Sequence, residues 1–263
     1  MSGSTHEYFK SDWSGRVRLP SERHSQDAEW CEIRERDGWR RIRFHDYAEL
    51  YRLRWLYDHL FYGLLECRSP RRVIGLLDEV HREGLTADQP LRVIDVGAGN
   101  GIVGQELKNS GADYVLAIDI LPEARVAADA ERPGVYDDYV VGDLTSPTPE
   151  LNRALRDARA NCLTCVAALG FGDIPPLAYA NAVKFVAPGG LIAFNIKADF
   201  LDARYTYGFS ELIRRAQSAG VLRIEAMRRY RHRLSTSGEP IFYTAIVATK
   251  LGEIRPEMLV DPG

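Results

Sequence analysis

From Leu91 onward the chain alternates between short apolar runs and stretches with helical spacing, and this alternation restricts the fold more than any other feature. "LRVIDVG", "YVLAIDI", "DDYVVGDL", "CLTCVAAL" and "GGLIAFNIK" read as strands. Helices near 101–109, 122–131, 148–159, 175–187 and 208–219 separate or follow them. Strands joined through helices pair in parallel, because each crossover returns the chain to the same end of the sheet. The last two strands, "RIEAMRRYRHRLS" and "PIFYTAIVATK", are joined only by "STSGE". That link is too short for a crossover, so the sheet is expected to end in an antiparallel hairpin.

The chain ahead of Leu91 reads differently. Residues 1–28 are polar and without periodicity. "EWCEIRERDGWRRIRF" then places Asp37-Gly38 between two alternating runs, a strong hairpin signal. A two-residue loop there pairs Glu35 with Arg40, Ile33 with Ile42 and Cys31 with Phe44. "HDYAELYRLRWLYDHLFYGLLEC" has helical periodicity, with Leu50, Leu53, Tyr57, Leu60 and Leu64 on one stripe. A second helix is expected from "SPRRVIGLLDEV", with Ser69 as cap and Pro70 at the first helical position. We therefore expect residues 1–90 to form an arm, a hairpin and lid helices, and residues 91–253 the main domain.

Composition excludes several classes. The 263 residues are 45% hydrophobic and 27% charged with a formal charge of −3, and acids and bases are balanced in both parts, which argues against a polyanion-binding surface. No signal-like apolar core or membrane-length run is visible, so the expected location is cytoplasmic, without membrane or nucleic-acid partners. Cys162 and Cys165 stand three apart in a predicted strand, where their side chains point to opposite faces. They read as buried strand cysteines, and no metal site is expected.

The glycine-rich stretch "VIDVGAGNGIVGQEL" joins the first strand of the alternating region to a helix. Such a turn can hold a dinucleotide, a nucleoside triphosphate or a sulfonium nucleoside. Gly97, Gly99 and Gly101 form D-x-G-x-G-x-G, but a dinucleotide fingerprint would require glycine where Ile102 stands. No Gly-Lys-Ser/Thr is present for a phosphate loop. Asp95, Asp119 and Asp143 close three successive strands at their carboxyl ends, the crevice side of a doubly wound sheet. Asp119 suits the two hydroxyls of a ribose, and Asp143 suits the exocyclic amine of an adenine. Three carboxylates favour a ligand carrying sulfonium and ammonium groups over a pyrophosphate, so the pattern points to S-adenosyl-L-methionine (SAM).

"VIDVGAGNGIVG", "YVLAIDI", "VVGDL" and "APGGLIAFNIK" resemble the ordered motifs of the Rossmann-like SAM-dependent methyltransferases, over about residues 55–250. "LYDHLFYGLLECRSPRRVIGLL" and "AALGFGDIP" further resemble the Williams–Beuren-region methyltransferase-like group acting on small molecules, though "GFGDIP" departs from the commoner Gly-His-[Ile/Val]-Pro. The resemblance implies a seven-stranded Rossmann-like methyltransferase sheet, mostly parallel with an antiparallel C-terminal hairpin and helices on both faces. It implies a cofactor site built from Asp95, Gly97, Ala98, Gly99 and Gly101, with Gly97 and Gly99 flanking the methionine moiety. Asp119 would hold the ribose, Ile120 the adenine face, and Asp143 with Leu144 the adenine edge. Ala168 and Leu169 would border the methyl group, and Tyr57 would cover the amino-acid end.

Methyl transfer needs a general base only when the acceptor is protonated. His59 and Asp173 are the candidates, and Asp199, Tyr205 and Tyr207 are further candidate acceptor contacts. "RRYRHR" at 228–233 splits across two strand faces and reads as a solvated edge. The resulting expectation is a SAM-dependent methyltransferase with a small-molecule acceptor. The alternatives are a SAM-binding protein with other chemistry or a sensing role, and an NAD-dependent oxidoreductase, for which no Tyr-x-x-x-Lys is visible.

Overall fold

The computed structural model describes residues 13–84, 88–169, 173–198 and 208–259, and the chain divides into two compact units, Met1–Arg68 with Arg231–Ile241, and Ser69–Tyr230 with Phe242–Gly263.

In the first unit, β1 (Val17–Arg18), β2 (Trp30–Glu35) and β3 (Gly38–Arg43) form an antiparallel sheet in chain order. The hairpin expected between β2 and β3 is present, but its register differs from the sequence reading. Cys31 pairs with Ile42, Ile33 with Arg40 and Glu35 with Gly38, so Arg36 and Asp37 make the turn. Gly38 begins the return strand at φ +141°, a conformation that costs glycine little. The slip is by two residues, an even number. Cys31, Ile33, Ile42 and Phe44 therefore keep one common face, and all four are buried with Leu50, Leu56, Leu60, Phe61 and Leu65.

The helical stretch that follows is not continuous. The helix α1 (Tyr47–Arg52) stops before Trp55, which lies at φ +64°, and the chain resumes as a wide π-helical turn over Asp58–Leu64. Leu65 N–H donates to Leu60 O at 3.0 Å, a five-residue step. This wider turn displaces the expected stripe by one position. Leu64 is 39% exposed and Leu65 is buried in its place. The same unit holds a buried ion pair between Arg233 and Glu29, and Glu29 Oε1 also accepts the Thr236 N–H at 2.6 Å.

The second unit carries the α/β fold. Its strands are β4 (Arg92–Val96), β5 (Tyr114–Asp119), β6 (Asp138–Val141), β7 (Cys162–Cys165), β8 (Leu191–Lys197), β9 (Leu222–Leu234) and β10 (Pro240–Lys250). They form a seven-stranded sheet in the order β6-β5-β4-β7-β8-β10-β9. The first five are parallel, and β10 runs antiparallel to β8. The helices are α2 (Ser69–Glu83), α3 (Ile102–Asn109), α4 (Pro122–Glu131), α5 (Pro149–Asp157), α6 (Pro176–Val183) and α7 (Gly208–Ser218). Thr148 caps α5 by accepting the Leu151 N–H at 3.2 Å, and Pro149 follows at the first helical position.

One sheet face packs Ile94, Leu116, Leu163, Ile192 and Phe194 with residues of α5, α6 and α7. The alternate residues of the same strands face the other way. There α2 meets the sheet, with Ser69 Oγ 3.1 Å from Asn195 Nδ2. Helices thus cover both faces, as expected from the sequence. Cys162 and Cys165 are both buried in β7 and carry free thiols. Among the described residues no helix is long and apolar enough to cross a membrane.

Candidate active site

The strand order reverses beside β4: the chain winds outward through β5 and β6, then returns to the other flank of β4 as β7. Carboxyl ends of strands at such a switch point form the ligand crevice of an open α/β sheet. Asp95, Gly97, Ala98, Gly99, Gly101, Asp119, Ile120, Asp143, Leu144, Ala168 and Leu169 all lie on or just beyond the carboxyl ends of β4, β5, β6 and β7. The structure thus gathers eleven of the cofactor residues read from the sequence along one edge.

The loop after β4 is shaped by backbone freedom and by hydrogen bonds. Gly97, Gly99 and Gly101 have φ of +71°, +55° and +91°, conformations that favour glycine. A Cβ on Gly97 would stand 3.0 Å from Ile174 Cδ1 and 3.1 Å from Ala168 Cβ. A side chain there would press on both groups, so the loop keeps bare backbone at its first glycine. Asp119, at the end of β5, accepts the Gly99 N–H at 2.9 Å through Oδ2 and the Leu121 N–H at 3.0 Å through Oδ1. These bonds hold the carboxylate in one orientation. Burial raises its pKa, while the backbone donors oppose the rise. Beside it, Ile120 is 61% exposed, an apolar side chain presented to solvent.

Asp95 is 1% exposed and fully engaged. Its Oδ1 accepts the Thr164 hydroxyl at 2.7 Å and its Oδ2 accepts the Tyr136 hydroxyl at 2.9 Å. Burial pushes its pKa up to about 7 against those two hydrogen bonds, and the nearby Asp119 charge adds to the rise. Tyr136 Oη also lies 3.2 Å from Ala98 O, and Tyr139 donates to Gly99 O at 3.0 Å. The loop's outer side is tied to the end of α4. Asn100 Nδ2 donates to Glu131 at 2.7 Å, and Arg132 donates to Asn100 O at 3.1 Å.

Asp143 is exposed, and its Oδ1 accepts both the backbone N–H and the hydroxyl of Thr145 at 2.7 Å, which lowers its pKa. Leu144 is buried, its carbonyl accepting from Asn181 at 2.8 Å. Ala168 is half-buried and Leu169 buried. Asp173 is exposed shortly before α6. Tyr57 and His59 belong to the first unit. The Tyr57 ring packs 4.6 Å from Phe61 and 5.1 Å from Tyr51, and burial raises its hydroxyl pKa. Burial lowers the pKa of His59 and favours neutral imidazole. Asp199, Tyr205 and Tyr207, with the "GFG" segment 170–172, lie outside the described residues.

The sequence reading missed Tyr136, Tyr139, Thr164, Asn195, Tyr230 and the second role of Ser69. One signal was available for Tyr136. Glycine inside a helix costs about 1 kcal/mol relative to alanine, so Gly104 in the middle of α3 implies close approach by something large. A Cβ there would stand 2.7 Å from Tyr136 Cζ.

The run at 228–233 is not a solvated edge throughout. Arg228 pairs with Glu79 through two bonds of 2.9 and 2.8 Å, Arg231 meets Glu66 at 2.5 Å, and Arg229 stacks 3.9 Å over Phe242. His232 and Arg233 are buried. The strand alternates as expected, but burial of its distal part in the first unit's core overrides the polarity of the sequence.

A glycine-turned loop and an oriented strand-end acid at the switch point of a doubly wound sheet define a nucleoside-cofactor-binding α/β protein. Residues 69–236, more than half of the chain, match the family model described as a methyltransferase domain, and the chain belongs to that family. It is a methyltransferase.

Among curated proteins, none matches this sequence. Solved structures similar to this chain include a SAM-dependent methyltransferase from Clostridium acetobutylicum, at 13% identity and TM-score 0.49, covering 75% of this chain and 96% of that one. Another is the N-methyltransferase NodS from Bradyrhizobium japonicum in complex with S-adenosyl-L-homocysteine (SAH), at 16% identity and TM-score 0.48, covering 68% and 86%. A third is a ribosomal protein L11 methylase from Lactobacillus delbrueckii subsp. bulgaricus, at 18% identity and TM-score 0.46, covering 69% and 78%.

Proposed function

We propose that this protein transfers a methyl group from SAM to a small-molecule acceptor in the cytoplasm, as a member of the Williams–Beuren-region methyltransferase-like group. The observation that favours this acceptor class is the pairing of the arginine-rich run at 228–233. Arg228, Arg231 and Arg233 are each engaged by a glutamate, in a chain of formal charge −3. A nucleic acid needs an open field of cations along its phosphates, and this run does not supply one.

In this reading Asp119 accepts the ribose hydroxyls, with its carboxylate already oriented by Gly99 and Leu121. Ile120 lies against the adenine, and Asp143 with Leu144 meets its edge. Gly97, Ala98, Gly99 and Gly101 carry the methionine end over bare backbone, with Asp95 beneath them as the anchor that holds the loop. The bound cofactor supplies a sulfonium-activated methyl group. The chain's own contribution is positioning and water exclusion. Ala168 and Leu169 border the methyl-transfer position and Tyr57 covers the amino-acid end. His59, held neutral by burial, is suited to take a proton from an acceptor, with Asp173 the second candidate base.

The test is methyl transfer from radiolabelled SAM into a pooled metabolite extract, with ribosomal RNA and protein in parallel reactions. Label in the low-mass fraction, with SAH formed only when the extract is present, is expected. Label precipitating with RNA or protein refutes the small-molecule acceptor. For Tyr57, SAM is expected to slow amide exchange over residues 57–62, and exchange there that ignores saturating SAM returns Tyr57 to the core of its own unit.

A further inference from the structure

At the end of β7 the chain takes a conformation that alanine does not favour: Ala167 has φ +58°. Such a residue persists only where its surroundings hold it, and here the holder is a side chain from the neighbouring strand. Asn195, in the middle of β8, accepts the Ala167 N–H through Oδ1 at 2.6 Å. Its amide nitrogen faces two hydroxyls, Tyr230 Oη at 2.8 Å and Ser69 Oγ at 3.1 Å, which lie 2.7 Å from each other. Asn195, Ser69 and Tyr230 are all buried. The Ala167 N–H can only donate, so the amide orientation is settled: oxygen toward Ala167, nitrogen toward the hydroxyls.

The next residue touches the cofactor loop. A Cβ on Gly97 would lie 3.1 Å from Ala168 Cβ, so Ala168 packs onto the first glycine of the loop after β4. A continuous path thus runs from Asn195 through Ala167 to Ala168 and Gly97. We propose that Asn195 is a positioning residue for methyl transfer, and that Ser69 and Tyr230 lock its amide so that Ala168 stands at a set height over Gly97. This rests on the reading that Ala168 borders the cofactor site. Asn195 does not itself touch cofactor or acceptor; it acts through the backbone of Ala167.

The path can be separated from a merely structural role, because two substitutions at position 195 have opposite consequences in the two cases. Asn195→Asp can still accept the Ala167 N–H, and both hydroxyls can turn to donate to it, but it buries a charge. Asn195→Leu buries no charge and loses the Ala167 bond. If the network positions the site, the Leu variant should raise the SAH Kd by about tenfold while the Asp variant stays within about threefold of wild type. Calorimetry on the full chain, well below each variant's Tm, gives the Kd, and exchange of the Ala167 amide should be faster in the Leu variant. Equal Kd values, or a weaker Asp variant than Leu variant, overturn the proposal. Tyr230→Phe, the mildest change, should raise Kd about twofold with faster Ala167 exchange. If neither position-195 variant folds, unchanged Kd and exchange in Tyr230→Phe overturn it. SAH that protects the glycine loop of the wild type but not residues 167–169 refutes the placement of Ala168, and the inference with it. Protection of both segments with unchanged variants refutes the inference alone.

Discussion

Asp95→Asn should stabilise the cofactor-free protein at alkaline pH and cost about 1–2 kcal/mol near pH 4. Asp95 sits 1% exposed beneath the glycine loop, and its pKa rises from 3.8 to about 7 because burial disfavours the carboxylate. An unfolded aspartate titrates near ~3.9. Between these values the native state holds a proton that the unfolded state has released, so stability falls as pH rises from about 4 to 7, and levels off above. At about 1.4 kcal/mol per pH unit the loss amounts to roughly 4 kcal/mol. The asparagine cannot ionise and so avoids this loss. Its Oδ1 can still accept from Thr164, and its amide can donate to the Tyr136 hydroxyl, which then turns its own proton to Ala98 O, 3.2 Å away. Some hydrogen-bond strength is lost in that exchange, so the expected gain at pH 8.5 is about 2–3 kcal/mol. Urea denaturation of both proteins from pH 4 to 9 measures the difference. A difference independent of pH, or an asparagine variant less stable at pH 8.5, refutes the argument.

Three further substitutions probe other parts of the unit. Asp119→Ala should weaken SAM binding by about 2–4 kcal/mol in calorimetry with little change in unfolding, since it removes charge-assisted bonds to two ribose hydroxyls; an intact fold with wild-type affinity refutes the ribose role. Gly104→Ala should cost about 2–3 kcal/mol in denaturation despite its better helix propensity, because the new methyl group meets the Tyr136 ring. Lys250→Met should cost about 2–4 kcal/mol by the same assay, because the buried ammonium donates to Val183 O at 2.9 Å, Val186 O at 2.9 Å and Lys184 O at 3.3 Å at the end of α6. A Met variant as stable as wild type would show that water replaces those contacts.

Periodicity and turn chemistry alone determined the order and type of the elements in the second unit. Buried parallel strands must be apolar along their length, their helices must be amphipathic, and both patterns are local to a few residues. The same locality exposed the cofactor loop, where glycines and strand-end acids lie close together in the chain. Tertiary structure decided what depends on distant partners. The hairpin register moved by two residues and the stripe near Leu64 by one, because strand pairing and the five-residue hydrogen-bond step select among registers that hydrophobic spacing leaves nearly equivalent. The supports of the site lay further out of reach. Asn195 stands 28 residues from Ala167 and 126 from Ser69, and Tyr136 stands 41 from Asp95. A polar side chain in a strand shows in the sequence that something must satisfy it, but only the folded chain supplies the donor or acceptor, because burial makes the bond obligatory and topology chooses the partner.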